Sequence, residues 1–329
     1  MARSIPQLIS IVAALVGVAL FLTTLYVIDL DETVASISRL GAALPIVLVP
    51  GTAWHLLRTW GWSIAFPDEY RPAFTRVFRV RLAADAIGFF TVRGVAGEPL
   101  KVVLLYDRVP PEVTTAAVAL ERLAFAVIGI VVAGMVSLLA LAHLTMPSAW
   151  DTLFSLLAAG AVIVIASVAF IARRGSEYYG GALIGLLDRI TGRHLERHRI
   201  VRFILDVERV LLALLRGNRR RLVVLTILPI VGYALMTLEV WLVFWAIGRP
   251  MSVTEALTVE TFARLASIAT AMVPGNIGTL EASNVAVVEA LDLAGGGSLA
   301  LARRIRSLLW AGLGLALYPR VRPGPVRPN

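Results

Sequence analysis

The sequence predicts an all-α fold: a polytopic helical membrane protein with about six spanning helices and two re-entrant helical hairpins in an inverted repeat. The first supporting observation is composition. Of 329 residues, 58% are hydrophobic and 16% are charged, and the mean hydropathy is +0.81. Soluble domains have about 45–50% apolar and about 25% charged residues, so we expect the additional apolar surface to face lipid. The lack of cysteine excludes disulfides, thiolate zinc sites and cysteine nucleophiles.

The second observation is a set of long apolar segments. A crossing helix needs about 20 apolar residues to span a hydrocarbon core of about 30 Å. The six predicted spans are 9–28, 45–66, 115–141, 152–172, 222–247 and 299–318. The first is longer than the apolar part of a signal peptide, so we expect it to be kept as a span.

Arginines orient these spans. The stretch 173–221 contains twelve arginines and five acidic residues, and basic residues collect in cytoplasmic loops. We therefore expect this loop and both termini to be cytoplasmic. The net charge of +9 follows from this asymmetry, so we predict no nucleic-acid partner. Between 196 and 216 the charge pattern predicts an amphipathic helix, which either lies on the membrane surface or packs against the bundle.

The third observation is that two further apolar segments, 81–106 and 255–293, are broken by glycine. In the first, the uninterrupted stretches are near a dozen residues or fewer, which at 1.5 Å per residue reach about halfway across the bilayer. The second has a longer first stretch and breaks at 274–278. We predict a re-entrant hairpin in each segment. The alternative is that glycine and proline kink ordinary helices and that Glu98 and Glu281 cap the new helix ends.

The two broken segments resemble each other. Each has two glycines three residues apart followed by a carboxylate, in GVAGE (94–98) and in GNIGTLE (275–281). The second glycine of each is followed 25 residues later by an arginine. Because one segment is expected to enter from the cytoplasm and the other from outside, the two repeats are predicted to be inverted. The predicted domains are a first membrane repeat 1–172, a cytoplasmic linker 173–221, a second membrane repeat 222–318 and a cytoplasmic tail 319–329.

Glycine-rich breaks and nearby charges predict a cavity inside the membrane. Non-helical backbone at bilayer depth needs protein or water to satisfy its N–H and C=O groups, and helix N-termini attract anions such as phosphate. A charge at mid-bilayer costs about 2.5–3.5 kcal/mol, yet charges gather at these two segments and the helices that follow them. The cations predicted to bind a phosphate are Arg93, Lys101, Arg122, Arg264 and Arg303.

The acidic residues of this set have several possible roles. Glu98, Glu121 and Glu281 could balance these cations, receive a head-group amine or carry a proton. The structural alternative is that the pairs Glu121/Arg122 and Glu260/Arg264 are salt bridges that hold the bundle together. Arg304 and Arg306 are two further charges of the apolar segments, and the alternative to an interior position for them is an interface, with their charged ends reaching towards water.

The sequence contains no motif for ATP binding, a zinc-protease helix or a serine nucleophile. We therefore predict no catalytic residue, no metal and no cofactor, although an intramembrane lipid transferase or phosphatase that uses acidic pairs stays open. The four histidines are dispersed along the chain.

A known family has similar motifs. The stretches GVAGEPLKVVLLYDRVP and AVALERLAF, followed by ASIATAMVPGNIGTLEASN and ALARRIRSLL, resemble the transmembrane region of lysylphosphatidylglycerol synthases and related stand-alone flippase-like proteins. The likeness covers about 9–318 and implies a lipid-translocating bundle with two re-entrant hairpins. The motif positions that it carries over are Gly94, Gly97, Glu98, Glu121 and Arg122 in the first half, and Pro274, Gly275, Gly278 and Glu281 in the second.

The resemblance sets the expected function. The chain ends shortly after its last predicted span, so we expect no aminoacyltransferase domain and no lipid synthesis. We expect a protein of the bacterial inner membrane that moves an anionic or zwitterionic phospholipid, or a lipid-linked intermediate, between leaflets. Two alternatives remain: a secondary transporter of a small anion, and a scaffold that recruits a lipid-modifying enzyme through the helix at 196–216.

Overall fold

The helices of the protein follow the apolar segments of its sequence. The computed structural model describes residues 40–91, 96–174, 199–217, 219–270, 273 and 278–320, and within these ranges all regular structure is helical. The predicted span 9–28 lies outside them. The helices are α1 (Leu44–Ala65), α2 (Phe74–Phe90), α3 (Gly97–Leu105), α4 (Pro111–His143), α5 (Ser148–Arg174), α6 (Arg199–Gly217), α7 (Arg219–Ala246), α8 (Val253–Ala269), α9 (Thr279–Ala290) and α10 (Gly296–Ala316), with short 3₁₀ turns at Gly41–Ala43 and Asp68–Tyr70.

Local sequence explains several helix starts. Pro111 occupies the first turn of α4, where a missing N–H costs nothing. Ser252 and Glu255 form a capping box at the start of α8: the Glu255 N–H donates to Ser252 Oγ at 3.2 Å, and the Ser252 N–H donates to Glu255 Oε2 at 2.6 Å. The first-turn proline and the capping box fix the starts of α4 and α8, and both helices contribute to the site described below.

Three of the described helices are long and apolar enough to cross a membrane: α4, α7 and the part of α5 over Ser148–Ser167. They coincide with predicted spans. Helices α1 and α10 also occupy predicted spans, but they are more polar, since α1 carries Arg58 and α10 carries three arginines. The polytopic all-helical fold is therefore confirmed, while the number of spans stays a prediction.

Helices end and begin again at the glycine-rich stretches, as the sequence predicted. Helices α2 and α3 flank the first break, and α8 and α9 flank the second. The helices that follow the breaks, α3 and α9, have 9 and 12 residues and are about 14 and 18 Å long. The helix before the first break is longer than the dozen or so residues that we predicted. Helix α2 has 17 residues, because it begins at Phe74 in a more polar stretch ahead of the apolar segment.

The helices before and after the central part of the chain repeat in the same order. We call α1–α4 the first half and α7–α10 the second half. Each begins with a long helix, continues with a 17-residue helix and a shorter one beyond a break, and ends with a long helix. Each half also has its own apolar core. The first is centred on Trp62, Ala84 and Leu104, and the second on Val240, Val259 and Val288.

Helices of the first half pack against helices of the second half. Helix α1 packs against α7, α2 packs against α10 and α4 packs against α8. The α2–α10 contact is tight, because a Cβ on Gly314 would lie 2.3 Å from the Leu82 carbonyl oxygen. At the end of α10, Arg79 Nε donates to the Leu317 carbonyl at 3.1 Å and Arg76 Nη1 donates to the Arg320 carbonyl at 3.1 Å. Helix α2, which precedes the first break, is thus fixed to α10, the last helix of the second half.

The predicted amphipathic helix is present as α6. Its Leu214 is buried in the first core, and Val207, Val210 and Leu211 pack against the same core. This face supports the interpretation in which α6 packs against the bundle. Ile204, on another face, is exposed.

Candidate functional site

Charged side chains from four helices of the first half meet around the break. In this first cluster, Glu98 and Lys101 come from α3 and Arg122 comes from α4. Lys101 Nζ lies 3.1 Å from Glu98 Oε2, and Arg122 Nη2 donates to Glu98 Oε1. Lys101 Nζ also lies 3.8 Å from Asp85 Oδ1 on α2. One carboxylate at the start of α3 therefore holds two cations.

Close packing of glycines places this carboxylate. A Cβ on Gly97 would lie 2.7 Å from the Ala84 carbonyl oxygen and 3.3 Å from Gly88 Cα, so α3 begins in direct backbone contact with α2. Glu98 is the next residue and lies in the first turn of α3. The N–H groups of a first helical turn have no partner within the helix and favour negative charge.

Two buried ion pairs support the first cluster. Arg58 on α1 binds Glu121 on α4 through two parallel contacts, Nε–Oε1 at 2.5 Å and Nη2–Oε2 at 2.9 Å, the bidentate geometry that makes such pairs strong. Phe125 lies under the Arg58 guanidinium, 4.2 Å from its centre to the ring centroid. On α2, Arg81 Nη2 lies 3.0 Å from Asp85 Oδ2.

A second cluster forms around the second break. Glu281, in the first turn of α9, accepts two hydrogen bonds from Arg304 on α10, from Nε at 3.0 Å and from Nη2 at 2.6 Å, both on Oε1. Arg303 Nη1 donates to Asn284 Oδ1 at 2.9 Å, and Arg303 Nη2 donates to Glu260 Oε2 on α8 at 2.5 Å. Buried Arg303 Nε has no hydrogen-bond partner among the described residues.

Two ion pairs support this second cluster as well. Arg264 Nε lies 2.6 Å from Glu260 Oε1 on the same helix. Arg306 on α10 donates to Glu239 on α7, which is fully buried. The Arg306 side chain runs over Gly51 of α1, where a Cβ would lie 2.5 Å from Arg306 Cδ.

The supporting pairs of the two halves occupy matching positions with opposite charge. Arg81 and Asp85 are the eighth and twelfth residues of α2, and Glu260 and Arg264 are the eighth and twelfth residues of α8. Arg58 and Glu239 each lie seven residues before the end of their helix, and their partners Glu121 and Arg306 are each the eleventh residue of theirs. Within these four pairs, each basic residue of one half thus corresponds to an acidic residue of the other.

Some charged side chains of the clusters are accessible although they lie deep along apolar helices. The Arg122 side chain is 48% exposed, Glu281 is 42% exposed and Arg264 is 34% exposed. Arg122 lies eleven residues beyond the start of α4, about 17 Å along it. This is about a third of the way along α4 and seven residues inside the predicted span 115–141, and an accessible charge within a span has to meet water or a polar group of a ligand.

The structure brings together most of the predicted site residues that it describes. Glu98, Lys101, Glu121 and Arg122 lie in the first cluster, and Arg264, Glu281 and Arg303 lie in the second. Gly97 is the first residue of α3, and Gly278 precedes α9 with a positive φ of 77°, a conformation that favours glycine. Arg93, Gly94, Pro274 and Gly275 lie outside the described residues.

Three expectations about ion pairs can be compared with the structure. The Glu260/Arg264 salt bridge is confirmed. Glu121 binds Arg58 on another helix, because neighbouring residues point to different sides of a helix, and Arg122 binds Glu98. The interfacial alternative for Arg304 and Arg306 was wrong: both enter the interior and bind Glu281 and Glu239.

Sequence reasoning missed several members of the two clusters. Arg58 and Arg81 were not considered, and Asn284 is a neutral residue that binds Arg303. The available signal for Arg58 was its position as the single arginine in the apolar segment 45–66. Asp85 and Glu239 are further charges within apolar segments to which no site role was assigned, and Glu260 was considered only as the partner of Arg264.

A separate cavity of about 710 Å³ lies between α6, the turn Asp68–Tyr70 and the start of α4, and Arg221 and Asp206 are among its lining residues. None of its lining residues belongs to either cluster. Within the described ranges, no three histidine or acidic side chains come together as metal ligands would.

A helical bundle with membrane-length apolar helices and paired charges in its interior is an integral membrane protein. The chain belongs to the family described as the lysylphosphatidylglycerol synthase TM region, whose model matches residues 7–315. This match covers nearly the whole chain and links the protein to the handling of membrane lipids. No curated protein and no solved structure matches the chain.

Proposed function

We propose that the protein moves a lipid with a phosphate-containing head group, anionic or zwitterionic, between the two leaflets of the bacterial inner membrane. The substrate is a phospholipid or a lipid-linked intermediate. The observation that carries this proposal is the accessible Arg122, held beside Glu98 and Lys101 within a membrane-length apolar helix.

The chemistry of the first cluster suits a head group. Arginine offers paired donors to a phosphate and lysine offers a point charge, and the N–H groups of Gly97 and Glu98 at the start of α3 can add to them. The acyl chains would stay in the surrounding lipid beside the exposed apolar side chains of α4 and α5, such as Leu139 and Ile163. Only the polar part of the substrate would then enter the protein.

The repetition of the helix order supports a transport cycle. In transporters with inverted repeats, the site lies between the repeats and access alternates as one moves against the other. Here each half supplies a carboxylate and two cations at the start of its short helix, Glu98 with Lys101 and Arg122, and Glu281 with nearby Arg303 and Arg304. With both termini in the cytoplasm, the two halves would present these groups from opposite sides.

Translocation of fluorescent phospholipids in proteoliposomes tests this proposal. Arg122→Ala should reduce the rate to that of empty vesicles, because it removes the accessible cation beside Glu98. Arg220→Ala is a matched control, since Arg220 is exposed at the start of α7, and should leave the rate unchanged. The lipids should be recovered chemically intact by mass spectrometry, which distinguishes transport from catalysis.

A small-anion transporter is the competing function, and the acyl chain separates the two. If phosphate or glycerophosphate enters the vesicles while the phospholipid does not move, lipid translocation is wrong. If wild-type protein moves neither, the transport proposal fails, and the scaffold role through α6 becomes the better explanation.

A further inference from the structure

One buried carboxylate takes no part in the proposed binding of a head group. Glu239 on α7 is fully buried and lies eight residues before the end of the predicted span 222–247. Its Oε2 accepts a hydrogen bond from Arg306 on α10, while its Oε1 has no hydrogen-bond partner among the described residues. Acidic groups inside membrane spans are costly, and in transporters they serve as proton carriers.

The other buried carboxylates of the two clusters use both of their oxygens. Glu121 binds Arg58 through Oε1 and Oε2. Glu260 binds one arginine through Oε1 and another through Oε2. Glu239 differs from both, because half of its carboxylate is buried without a donor. A buried charge needs a full set of hydrogen bonds, whereas a neutral carboxyl group costs far less to bury.

The helices packed against α7 bring further charges to this carboxylate. Helices α1, α4, α8 and α10 contact α7, and the charged or titratable side chains that they place in this region are His55, Arg58, Glu121, Glu260, Arg303 and Arg306. Of these, Arg303, Arg306 and Glu260 interact with the carboxylate of α7 electrostatically. Two cations favour an ionised carboxyl group and burial opposes it, a balance typical of groups that bind and release protons.

The matching position in the first half has no such ability. Arg58 corresponds to Glu239, since each lies seven residues before the end of its helix, and a guanidinium stays protonated in proteins. The carboxylate of that first-half pair, Glu121, already uses both oxygens. The reversed charges of the two halves therefore leave an incompletely paired, titratable group in the second half.

We infer that Glu239 is a proton-binding site whose protonation releases Arg306 and thereby alters the contact between the two halves. The proton adds to the unpaired Oε1, and no bond between heavy atoms forms or breaks. Arg306 then faces a neutral group, and its Nη1 also donates to Met236 Sδ at 3.2 Å, a weak acceptor. Because the Arg306 side chain passes over Gly51 of α1, its movement changes the packing of α1 beside α10. The proton site stands without the proposed function, but the use of the proton to drive transport rests on it.

Infrared difference spectroscopy of the purified full-length protein, between acidic and alkaline pH, tests for this proton. A protonated carboxyl group in an apolar site has a carbonyl band at higher frequency than a hydrated one. The wild type should show this band at acidic pH and lose it as the pH rises, and Glu239→Gln should lack it throughout. Absence of a pH-dependent band in the wild type, or its persistence in Glu239→Gln, overturns the inference.

Two control variants assign the band to one carboxylate. Glu121→Gln removes a buried carboxylate whose oxygens are both bound, and it should keep the band. Glu281→Gln removes another carboxylate of the clusters with an unpaired oxygen, on a side chain that is 42% exposed, and it should also keep the band. Loss of the band in either control while Glu239→Gln retains it places the proton elsewhere and overturns the inference.

A distance measurement tests the link to the contact between the halves. The chain contains no cysteine, so spin labels can be attached to Leu56→Cys on α1 and Leu309→Cys on α10, both of which are exposed positions. The distance between the labels should change between alkaline and acidic pH, and the change should be lost when Glu239→Gln is added. Equal distances at both pH values overturn the link between protonation and packing.

The transport assay separates the proton site from the proposed function. A pH gradient across the proteoliposome membrane should raise the rate of phospholipid translocation by the wild type, and Glu239→Gln should lose this stimulation. Equal wild-type rates with and without the gradient overturn the coupling. A pH-dependent band from Glu239 in a protein that translocates no lipid supports the proton site and overturns only the proposed function.

A shorter carboxylate covers the case in which Glu239→Gln does not fold. Glu239→Asp keeps a carboxyl group but withdraws it from its surroundings, so the frequency of the band should shift. A band of unchanged frequency and pH dependence would come from another carboxyl group, and it overturns the inference.

Discussion

The Arg306 side chain reaches Glu239 by passing over residue 51, which has no side chain. The Arg306 chain crosses α1 at Gly51, where a Cβ would lie 2.5 Å from Arg306 Cδ. Position 51 in the first half therefore controls an ion pair that lies within the second half.

Gly51→Ala should consequently lower the stability of the protein. The added methyl group forces the Arg306 side chain to shift, and the upper limit of the cost is the about 3–5 kcal/mol expected when buried Glu239 is left without its cation. Thermal unfolding of the purified protein in detergent measures the effect as a lower midpoint temperature. Gly160→Ala is the matched control, because a Cβ there has no neighbour within 4 Å in the described part of the chain, and its midpoint should stay close to that of wild type. Equal midpoints for the two variants would contradict the predicted contact.

The buried pair between Arg58 and Glu121 should tolerate exchange of its charges better than removal of one. Arg58→Ala or Glu121→Ala leaves an uncompensated buried charge, and each should cost about 3–5 kcal/mol. The exchanged variant Arg58→Glu with Glu121→Arg keeps the pair, in the polarity of the matching pair in the second half. A double-mutant cycle with the single reversals should give a favourable coupling of about 0.5–3 kcal/mol. Simple additivity would show that the two residues do not interact.

The turn before α9 should require glycine for its backbone conformation. Gly278 has a φ of 77°, and no atom of the described residues lies within 4 Å of a Cβ position there, so a substitution is limited by backbone strain of about 1–3 kcal/mol. Asparagine tolerates positive φ better than β-branched residues do. Gly278→Asn should therefore unfold at a higher temperature than Gly278→Val. The reverse order would mean that steric contact, and not φ, sets the requirement.

The packed face of α6 should hold this helix against the bundle. Leu214 is buried against the first core, and truncating a buried leucine to alanine costs about 2–5 kcal/mol. Leu214→Ala should therefore make the arginines of α6 more susceptible to trypsin. Ile204→Ala, on an exposed face, should leave the cleavage rate near that of wild type. Identical rates for both variants would indicate that α6 is held by other contacts.

The amino-acid sequence predicted the elements that depend on local pattern. The breaks after α2 and α8, the amphipathic α6 and the long apolar α4, α5 and α7 follow from periodicity, glycine positions and hydropathy, which act over a few residues. Gly97 and Gly278 were expected to serve the same purpose, but they serve different ones. Gly97 permits a close backbone approach and Gly278 permits a positive φ, a distinction that appears only once the neighbouring helix is placed.

Pairing between charges was predicted less well, because it depends on how helices pack. Glu260 and Arg264 are four residues apart on one helix, so their contact follows from helical geometry alone. Arg58 and Glu121 are 63 residues apart, and only the packing of α1 beside α4 brings them together. The reversed charges of the matching pairs could be recognised only once the helix boundaries were known. The repeated sequence motif aligns α3 with α9, but it does not align the other helices of the two halves.

The exchange of helices between the halves has a consequence for how such a protein could be assembled. With α2 seated on α10 and α4 seated on α8, each half completes its interior with a surface borrowed from the other. Each half produced alone should therefore fail to fold stably, and co-production of the two halves as separate fragments should restore a stable fold. If the repeat arose by gene duplication, an ancestral single-half chain would have formed an interlocked dimer, and the present chain would be its covalently joined descendant.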